Sequence, residues 1–264
     1  MRLPVPAGAV RKLLKEIESS GRGEHVLAVG GASEYAAELR QQFLRGGADR
    51  EAVRLGGPEG VDVYVHVLLG ASSEGDVAIL QRARRARVPV IAVTLGFADD
   101  AAPYVLATDF VPVAAGLDFP LERIARAIAA RLGEDGAPLA ARVPLLRDAV
   151  CEWLVMSAAR KNGVLAAAIW IPGADLPVLL LNEPRLVLRL AQVYGLDGGR
   201  ERLAELGATL GTGFGLRALA RELLDLIPVA GWALKGAVAY GGTRAMGEAA
   251  CQRFGRKAAL FARG

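Results

Sequence analysis

The chain has little of what most metal and catalytic sites are made from. Its 264 residues include two cysteines and two histidines, and aromatic residues make up 6%. The cysteines, Cys151 and Cys251, are too few for a disulfide framework and lack metal-ligand spacing. His25 and His66 both fall at or inside apolar runs, so no Ser-His-Asp group is favoured. The composition predicts no metal site and no catalytic residue.

The first residues do not have the pattern of a secretory leader, because they become charged before any long apolar run begins. Val10, Leu13, Leu14 and Ile17 instead recur at helical spacing. We therefore expect residues 1–22 to be a short amphipathic helix that precedes the first domain.

Charge is divided unevenly along the chain. Residues 1–136 carry 16 Lys/Arg against 18 Asp/Glu, a net charge of −2, whereas residues 137–264 carry 16 against 10, a net charge of +6. The second part is also the more apolar one, and this combination favours contact with an anionic membrane surface. Basic residues interleaved with exposed aromatics, or a known nucleic-acid module, are not found, so nucleic acid is not an expected partner.

Apolar runs and helical periods alternate over residues 23–136. The runs at 25–30, 61–69, 88–94 and 109–113 predict strands, and the segments between and after them predict amphipathic helices. This order is typical of a doubly wound, mainly parallel sheet. Ligands of such sheets bind at the carboxyl ends of the strands, which makes the turn after the first strand the place to look for a site.

That turn does not have a phosphate-binding sequence. A P-loop needs a second glycine five positions after the first, then Lys and Ser or Thr, but Tyr35 or Ala36 occupies the glycine position. The dinucleotide pattern fails as well. What remains is Gly30, Gly31 and Ser33, with Ser33 placed to cap the next helix; these three are weak candidates for contacts with GTP or ATP.

The order of elements resembles that of small GTPases of the Era and Der kind. The likeness is carried by residues 61–96 and 109–132, which are similar to the last three strands of that family. The resemblance implies a guanine-reading Asn-Lys-x-Asp motif after Thr94, where this chain has Leu95-Gly96-Phe97, and a serine at Ala114-Ala115. Because phosphate, metal, switch and base contacts are all missing, the sequence predicts a pseudo-GTPase.

The second part resembles the YcjF-like helical domain of unknown function that often follows GTPase domains in bacteria. The likeness covers about residues 145–255 and rests on 171–195 and 218–249, with an Ile227-Pro228 turn, an Ala-rich helix and then Gly-Thr-Arg. The resemblance implies membrane association and partnership with a GTPase. We expect residues 137–264 to form an apolar, basic, all-helical domain.

Two segments of this part approach the length of a membrane span. Residues 163–181 contain Pro172, Asp175 and Pro177, and residues 226–243 contain Pro228 and Lys235. A charge at the bilayer centre costs about 2.5–3.5 kcal/mol on the insertion scale, so neither segment suits a solitary span. The two segments could be buried core helices, re-entrant hairpins or spans that insert as a packed bundle, and the sequence does not choose among these three.

The sequence as a whole predicts a non-catalytic scaffold or GTPase-accessory protein at the cytoplasmic face of a membrane. Its expected partners are the membrane surface and a protein, either a true GTPase or a second copy of the chain. One alternative is a divergent GTP or ATP hydrolase that uses the Gly30–Ser33 turn. A second alternative is a soluble, cytoplasmic protein-interaction module.

Overall fold

A computed structural model describes residues 15–17, 19–96, 102–114, 116–168, 176–196 and 231–261. The chain divides into two compact units. Gly23–Trp153 is here called the α/β unit, and Met1–Arg22 with Leu154–Gly264 is called the helical unit because its described secondary structure is helical. The N-terminal segment therefore groups with residues that follow it by more than a hundred positions, not with its neighbours in sequence.

The α/β unit contains a five-stranded, all-parallel sheet, of which the apolar runs predict four strands. The strands are β1 (Leu27–Gly31), β2 (Val53–Leu55), β3 (Val63–Leu69), β4 (Val90–Leu95) and β5 (Phe110–Val113). Their order across the sheet is β2-β1-β3-β4-β5. β3 is buried along nearly its whole length, which explains why it is almost continuously apolar.

Four helices accompany the sheet within this unit. They are α1 (Ser33–Arg45), α2 (Glu74–Arg85), α3 (Leu121–Leu132) and the short α4 (Gly136–Arg142). The crossover from β1 to β2 and the crossover from β3 to β4 run in opposite directions across the sheet. Because such crossovers are right-handed, α1 and α2 cover opposite faces. Tyr64 and Leu68 of β3 pack with Leu80 and Ala83 on the α2 side.

Side-chain pairs fix the ends of these elements. The Arg142 guanidinium donates to the Asp49 carboxylate at 2.7 Å and to the carbonyl of His25 at 3.1 Å, which ties the end of α4 to the loops beside β1 and β2. Arg131 of α3 pairs with the buried Asp109, which immediately precedes β5. The compact unit thus continues past α3 to Trp153, because residues 136–153 pack back on it.

Three long helices follow in the described part of the chain. α5 (Arg147–Ala168) begins in the α/β unit and ends in the helical unit, and α6 (Leu176–Val193) and α7 (Gly231–Phe261) belong to the helical unit. Phe254 lies inside α7 and packs on Tyr194, which follows α6; the centroids of the two rings are 6.4 Å apart.

Glycine lets α5 and α7 approach closely. A Cβ atom at Gly163 would lie 3.2 Å from the carbonyl oxygen of Gly236, and one at Gly236 would lie 3.1 Å from the carbonyl oxygen of Gly163. A side chain on either residue would therefore push the helices apart. Small residues at helix crossings serve soluble and membrane-embedded packing alike.

Candidate functional site

The carboxyl edge of β1 and β3 is the place where a sheet of this order binds ligands. Strand order β2-β1-β3-β4-β5 puts the topological switch point between β1 and β3, since the chain leaves these two strands in opposite directions. Gly30 and Gly31 end β1 there, and Ser33 begins α1. The structure therefore brings the three candidate residues to the expected edge.

The connection from β1 to α1 is a single residue. β1 ends at Gly31 and α1 begins at Ser33, with only Ala32 between them. The prediction that Ser33 caps α1 is wrong: Ala32 occupies the cap position, Ser33 is the first helical residue, and no side chain caps this helix. A phosphate-cradling loop needs several residues between strand and helix whose N–H groups converge on the anion. One residue cannot supply them.

Protein atoms fill the space that a phosphate-binding glycine would leave open. A Cβ atom at Gly30 would collide with the hydroxyl oxygen of Tyr64 and lie 2.6 Å from the carbonyl oxygen of Gly56. Gly31 has a φ of 95° and lies so close to the backbone of Val67 that any side chain there would overlap its carbonyl. Both glycines are thus needed for packing β1 against β3.

A chain of hydrogen bonds runs from β3 into α2 at this edge. The Tyr64 hydroxyl lies 3.0 Å from Nδ1 of His66, and Nε2 of His66 lies 2.9 Å from Oδ1 of Asp76. Oδ2 of Asp76 accepts from the Ser73 hydroxyl at 2.6 Å and from the Ser73 backbone N–H at 2.9 Å. We call Tyr64, His66, Asp76 and Ser73 the edge relay.

Local sequence explains how the edge relay forms. Tyr64 and His66 are two positions apart on β3, so their side chains share the face toward α2. Ser73 and Asp76 form a capping box at the start of α2, in which each side chain accepts from the backbone of the other. The capping carboxylate has a second oxygen, and this oxygen reaches His66. The Ser-x-x-Asp spacing predicts a capping carboxylate at the start of α2. The pattern of apolar runs does not predict that this carboxylate contacts His66.

Electrostatics determines the protonation state of the relay. Burial lowers the pKa of His66 against the opposing effect of Asp76, so the imidazole is neutral at pH 7. Burial would raise the pKa of Asp76, but hydrogen bonds from Ser73 and His66 hold it below its usual value. Burial and the nearby Asp76 charge raise the pKa of Tyr64. Nε2–H of His66 therefore donates to Asp76, and Nδ1 accepts from Tyr64.

The two relay residues on β3 lack the access of a proton-transfer site, whereas Asp76 is partly exposed and Ser73 is exposed. His66 is fully buried and Tyr64 is 1% exposed. A catalytic base must reach its substrate directly or through one water molecule. The arrangement instead joins β3 to α2 by satisfying buried polar groups.

The rim of this edge carries four exposed apolar side chains. The exposed large hydrophobic residues of the α/β unit include Tyr35 in the first turn of α1, Leu55 and Leu69 at the ends of β2 and β3, and Leu117 after β5. Leu69 and Leu117 are 63% and 69% exposed. The nearest charged side chains in the first turns of α1 and α2 are acidic, Glu34 and Glu74. Such a rim suits an apolar partner better than a phosphate.

The helical unit has a buried polar cluster of its own. Asn162 of α5 donates to the Thr243 hydroxyl of α7 at 3.0 Å and accepts from the Asn182 amide of α6 at 3.1 Å. Asn162 and Thr243 are each 1% exposed. These three side chains fix the helices in one register, as buried polar groups do in other helix bundles.

The described residues hold no group of three or more His, Cys, Asp or Glu side chains that could bind a metal ion. Among the described helices, none combines the length and apolar character that crossing a bilayer requires. Much of both candidate spans, residues 169–175 and 226–230, lies outside the described part. Comparison with protein-family models, curated proteins and solved structures finds nothing that matches this chain.

Proposed function

We propose that the chain is a non-catalytic scaffold: a GTPase-like α/β unit joined to a YcjF-like helical unit that contacts the cytoplasmic face of a membrane. Its protein partner is a true GTPase or a second copy of the chain. In this proposal the α/β unit binds no GTP or ATP and supplies a surface instead.

The observation that carries the proposal is the one-residue connection between β1 and α1. With only Ala32 between strand and helix, the backbone N–H groups of a P-loop have nowhere to converge. Tyr64 occupies the space beside Gly30, and no lysine or arginine lies in the first turn of α1. The β1–α1 connection is too short for a P-loop, the space beside Gly30 is filled, and a basic residue in the first turn of α1 is missing. Together these features argue against phosphate binding at this edge.

Charge supports membrane contact by the helical unit. Gly23–Trp153 carries 13 Lys/Arg against 18 Asp/Glu, a net charge of −5. Met1–Arg22 with Leu154–Gly264 carries 19 against 10, a net charge of +9. Each basic residue near an anionic surface contributes on the order of 1 kcal/mol. The helical unit is therefore the one that an anionic leaflet would attract.

The apolar rim supports a protein partner for the α/β unit. Tyr35, Leu55, Leu69 and Leu117 are spread along the edge at which sheets of this kind hold small polar ligands. Exposed apolar side chains at the carboxyl ends of the strands are available for contact with a protein partner. This observation also favours the alternative of a soluble interaction module, which uses the same rim without a membrane.

The first experiment measures turnover of GTP and ATP by the purified full-length chain with Mg²⁺. We expect phosphate release at the rate of buffer alone. Release that is proportional to protein concentration and is lost in a Ser33→Ala variant would favour the divergent hydrolase instead. A Ser72→Ala variant is the matched control, because it changes a hydroxyl in the same region without touching the β1–α1 turn.

The second experiment floats the chain with vesicles of phosphatidylcholine, alone or mixed with phosphatidylserine. We expect the chain to rise with the mixed vesicles and to be released by high salt, because surface charge attraction is screened within about 10 Å at 0.1 M salt. If the chain stays at the bottom of the gradient with both vesicle types, it does not bind these membranes, and the soluble interaction module is then favoured. Resistance to carbonate washing of cell membranes would instead indicate an integral form.

A further inference from the structure

The end of α2 is strongly basic, although it belongs to a unit whose net charge is −5. The last turn of this helix and the two residues after it contain four arginines, all of them exposed: Arg82, Arg84, Arg85 and Arg87. Arg82 pairs with Glu59 at 3.3 Å. Within the described part of the chain, Arg84, Arg85 and Arg87 form no ion pair with a carboxylate. These three arginines give an acidic unit one cationic surface.

Exposed apolar side chains accompany the arginines. The guanidinium carbon of Arg84 lies 5.1 Å from the centroid of the Tyr104 ring. Tyr104 is 43% exposed, and Leu106, two residues further on, is 58% exposed. An arginine that stacks on a ring keeps the N–H groups at its edge free for an anion. We call Arg84, Arg85, Arg87, Tyr104 and Leu106 the basic patch.

The basic patch lies at the amino edge of the sheet. α2 ends just before β4 begins, and Tyr104 and Leu106 come just before β5. Because β3, β4 and β5 are parallel, both positions fall at the end of the sheet opposite to the carboxyl edge. A surface bound at the patch therefore leaves the carboxyl edge free for a protein partner.

Backbone conformation distinguishes the patch from an ordinary helix end. Among the residues that the structure describes, Arg87 and Tyr104 are the two non-glycine residues with a positive φ, at 58° and 73°. Glycine is the usual residue just past a helix, because a side chain is strained there. Interaction with the helix dipole explains Arg84 and Arg85 in the last turn, but it does not require an arginine at a strained position beyond that turn. Strained residues that cluster in this way are typical of binding surfaces.

We propose that the basic patch binds an anionic membrane surface. The arginines contact lipid phosphate and carboxylate groups, and Tyr104 and Leu106 enter the headgroup layer. Positive charge alone suits any polyanion, but the exposed tyrosine and leucine favour a surface that also has an apolar layer. The inference rests on the membrane contact proposed above and adds to it an attachment point on the α/β unit.

The first arm sediments the full-length chain with vesicles of phosphatidylcholine, alone or mixed with phosphatidylserine. The patch variant combines Arg84→Gln, Arg85→Gln and Arg87→Gly. We expect the parent chain to bind the mixed vesicles only, and the patch variant to bind them at least about tenfold more weakly, because each cation that is removed weakens attraction to the anionic surface. The variant is expected to fold, since its three positions are exposed.

The matched control replaces Arg45, Arg50 and Arg123 by glutamine. These arginines are exposed and belong to the same unit, so the change in net charge equals that of the patch variant. Arg45 and Arg50 flank the connection to β2, the edge strand farthest from β5, and Arg123 lies in the first turn of α3. We expect vesicle binding within about threefold of the parent chain. Equal losses in the control and the patch variant would overturn the proposal, because only net charge would then matter.

The single variant Arg87→Gly separates binding from stability. Glycine suits the positive φ at this position, so the midpoint of thermal unfolding should stay unchanged or rise. Vesicle binding should nevertheless fall about fivefold. A lower midpoint with unchanged vesicle binding would mean that Arg87 serves the fold alone, and would overturn its place in the patch.

The second arm distinguishes this inference from the proposed function. A helical variant replaces Arg253, Arg256 and Lys257, near the end of α7, by glutamine. If the helical variant loses vesicle binding and the patch variant keeps it, the proposed membrane contact of the helical unit stands and the patch proposal fails. If only the patch variant loses binding, the patch stands and membrane contact through these residues of α7 fails.

The kind of anion is tested with Leu106→Ser and with two soluble probes, a polyglutamate peptide and a DNA oligonucleotide. Leu106→Ser should weaken vesicle binding about threefold, because it removes apolar surface that enters the headgroup layer. A parent chain that binds either soluble probe through the patch, but does not bind the mixed vesicles, would overturn the proposal of a lipid surface.

Discussion

The α/β unit and the helical unit are stabilised by different kinds of contact. The sheet is a set of parallel ladders whose neighbouring strands approach so closely that Gly31 has no room for a side chain beside Val67. The helices meet through glycine and through the Asn162, Asn182 and Thr243 hydrogen bonds. The comparison teaches that buried polar groups in the first unit join β3 to α2 at the carboxyl edge of the sheet, whereas in the second they fix helix register.

The largest effect is expected at the closest approach in the sheet. Gly31→Ala should lower the free energy of unfolding by about 3 kcal/mol or more, because φ of 95° is strained for alanine and its Cβ would overlap the Val67 carbonyl. Gly96→Ala is the control: its φ of 82° is similar, but no atom lies within 4 Å of the added Cβ. There we expect about 1 kcal/mol, from backbone strain alone. Equal losses by urea denaturation would mean that β1 and β3 do not meet as described.

Removing the polar cluster tests the helical side of the comparison. Asn162→Ala should cost about 2 kcal/mol, because Thr243 and Asn182 would each lose a partner in a buried place. Val164→Ala, two residues along α5 and 68% exposed, should change stability by less than about 0.5 kcal/mol. Thermal unfolding of both variants measures the difference. A loss at Asn162 no greater than at Val164 would show that the cluster is dispensable.

Filling the space beside Gly30 tests whether the tyrosine closes the ligand edge. Gly30→Ala should cost about 1–3 kcal/mol by collision with the Tyr64 hydroxyl. Tyr64→Phe removes that oxygen, so the double variant should recover part of the loss, with a coupling energy of about 1 kcal/mol. Strictly additive losses in the double-mutant cycle would contradict the packing of these two residues.

The edge relay predicts a pH dependence that belongs to the α/β unit. Because the pKa of His66 is lowered in the folded state, the unfolded chain takes up the proton first, and stability is lost as pH falls below the unfolded value near 6.5. The loss should grow as pH falls from 7 toward 5.5, because the proton is taken up by the unfolded chain and not by the buried imidazole. A His66→Gln variant should show a flatter profile between pH 7 and pH 5.5 in urea titrations. If the dependence of stability on pH is the same in the His66→Gln variant, a group other than His66 is responsible for it.

The sheet could be predicted because long apolar runs separated by helical periods leave few other arrangements. β2 was missed: it has three residues, lies at the sheet edge, and exposes Arg54 and Leu55, so it has no apolar run. The edge relay was missed for a different reason. His66 meets Asp76 only after α2 folds over the sheet, and Tyr64 meets Gly30 only in the register that pairs Gly30 with His66. Contacts of this kind depend on register and crossover, which periodicity does not specify.

The most direct test of the central claim is calorimetric titration of the full-length chain with Mg²⁺-GTP and Mg²⁺-ATP. A β1–α1 connection of one residue, closed by Tyr64, predicts only heats of dilution up to about 1 mM nucleotide. Saturable one-site binding with a dissociation constant near or below about 10 µM, weakened by Ser33→Ala but not by Ser72→Ala, would contradict the account and indicate a nucleotide site at the carboxyl edge.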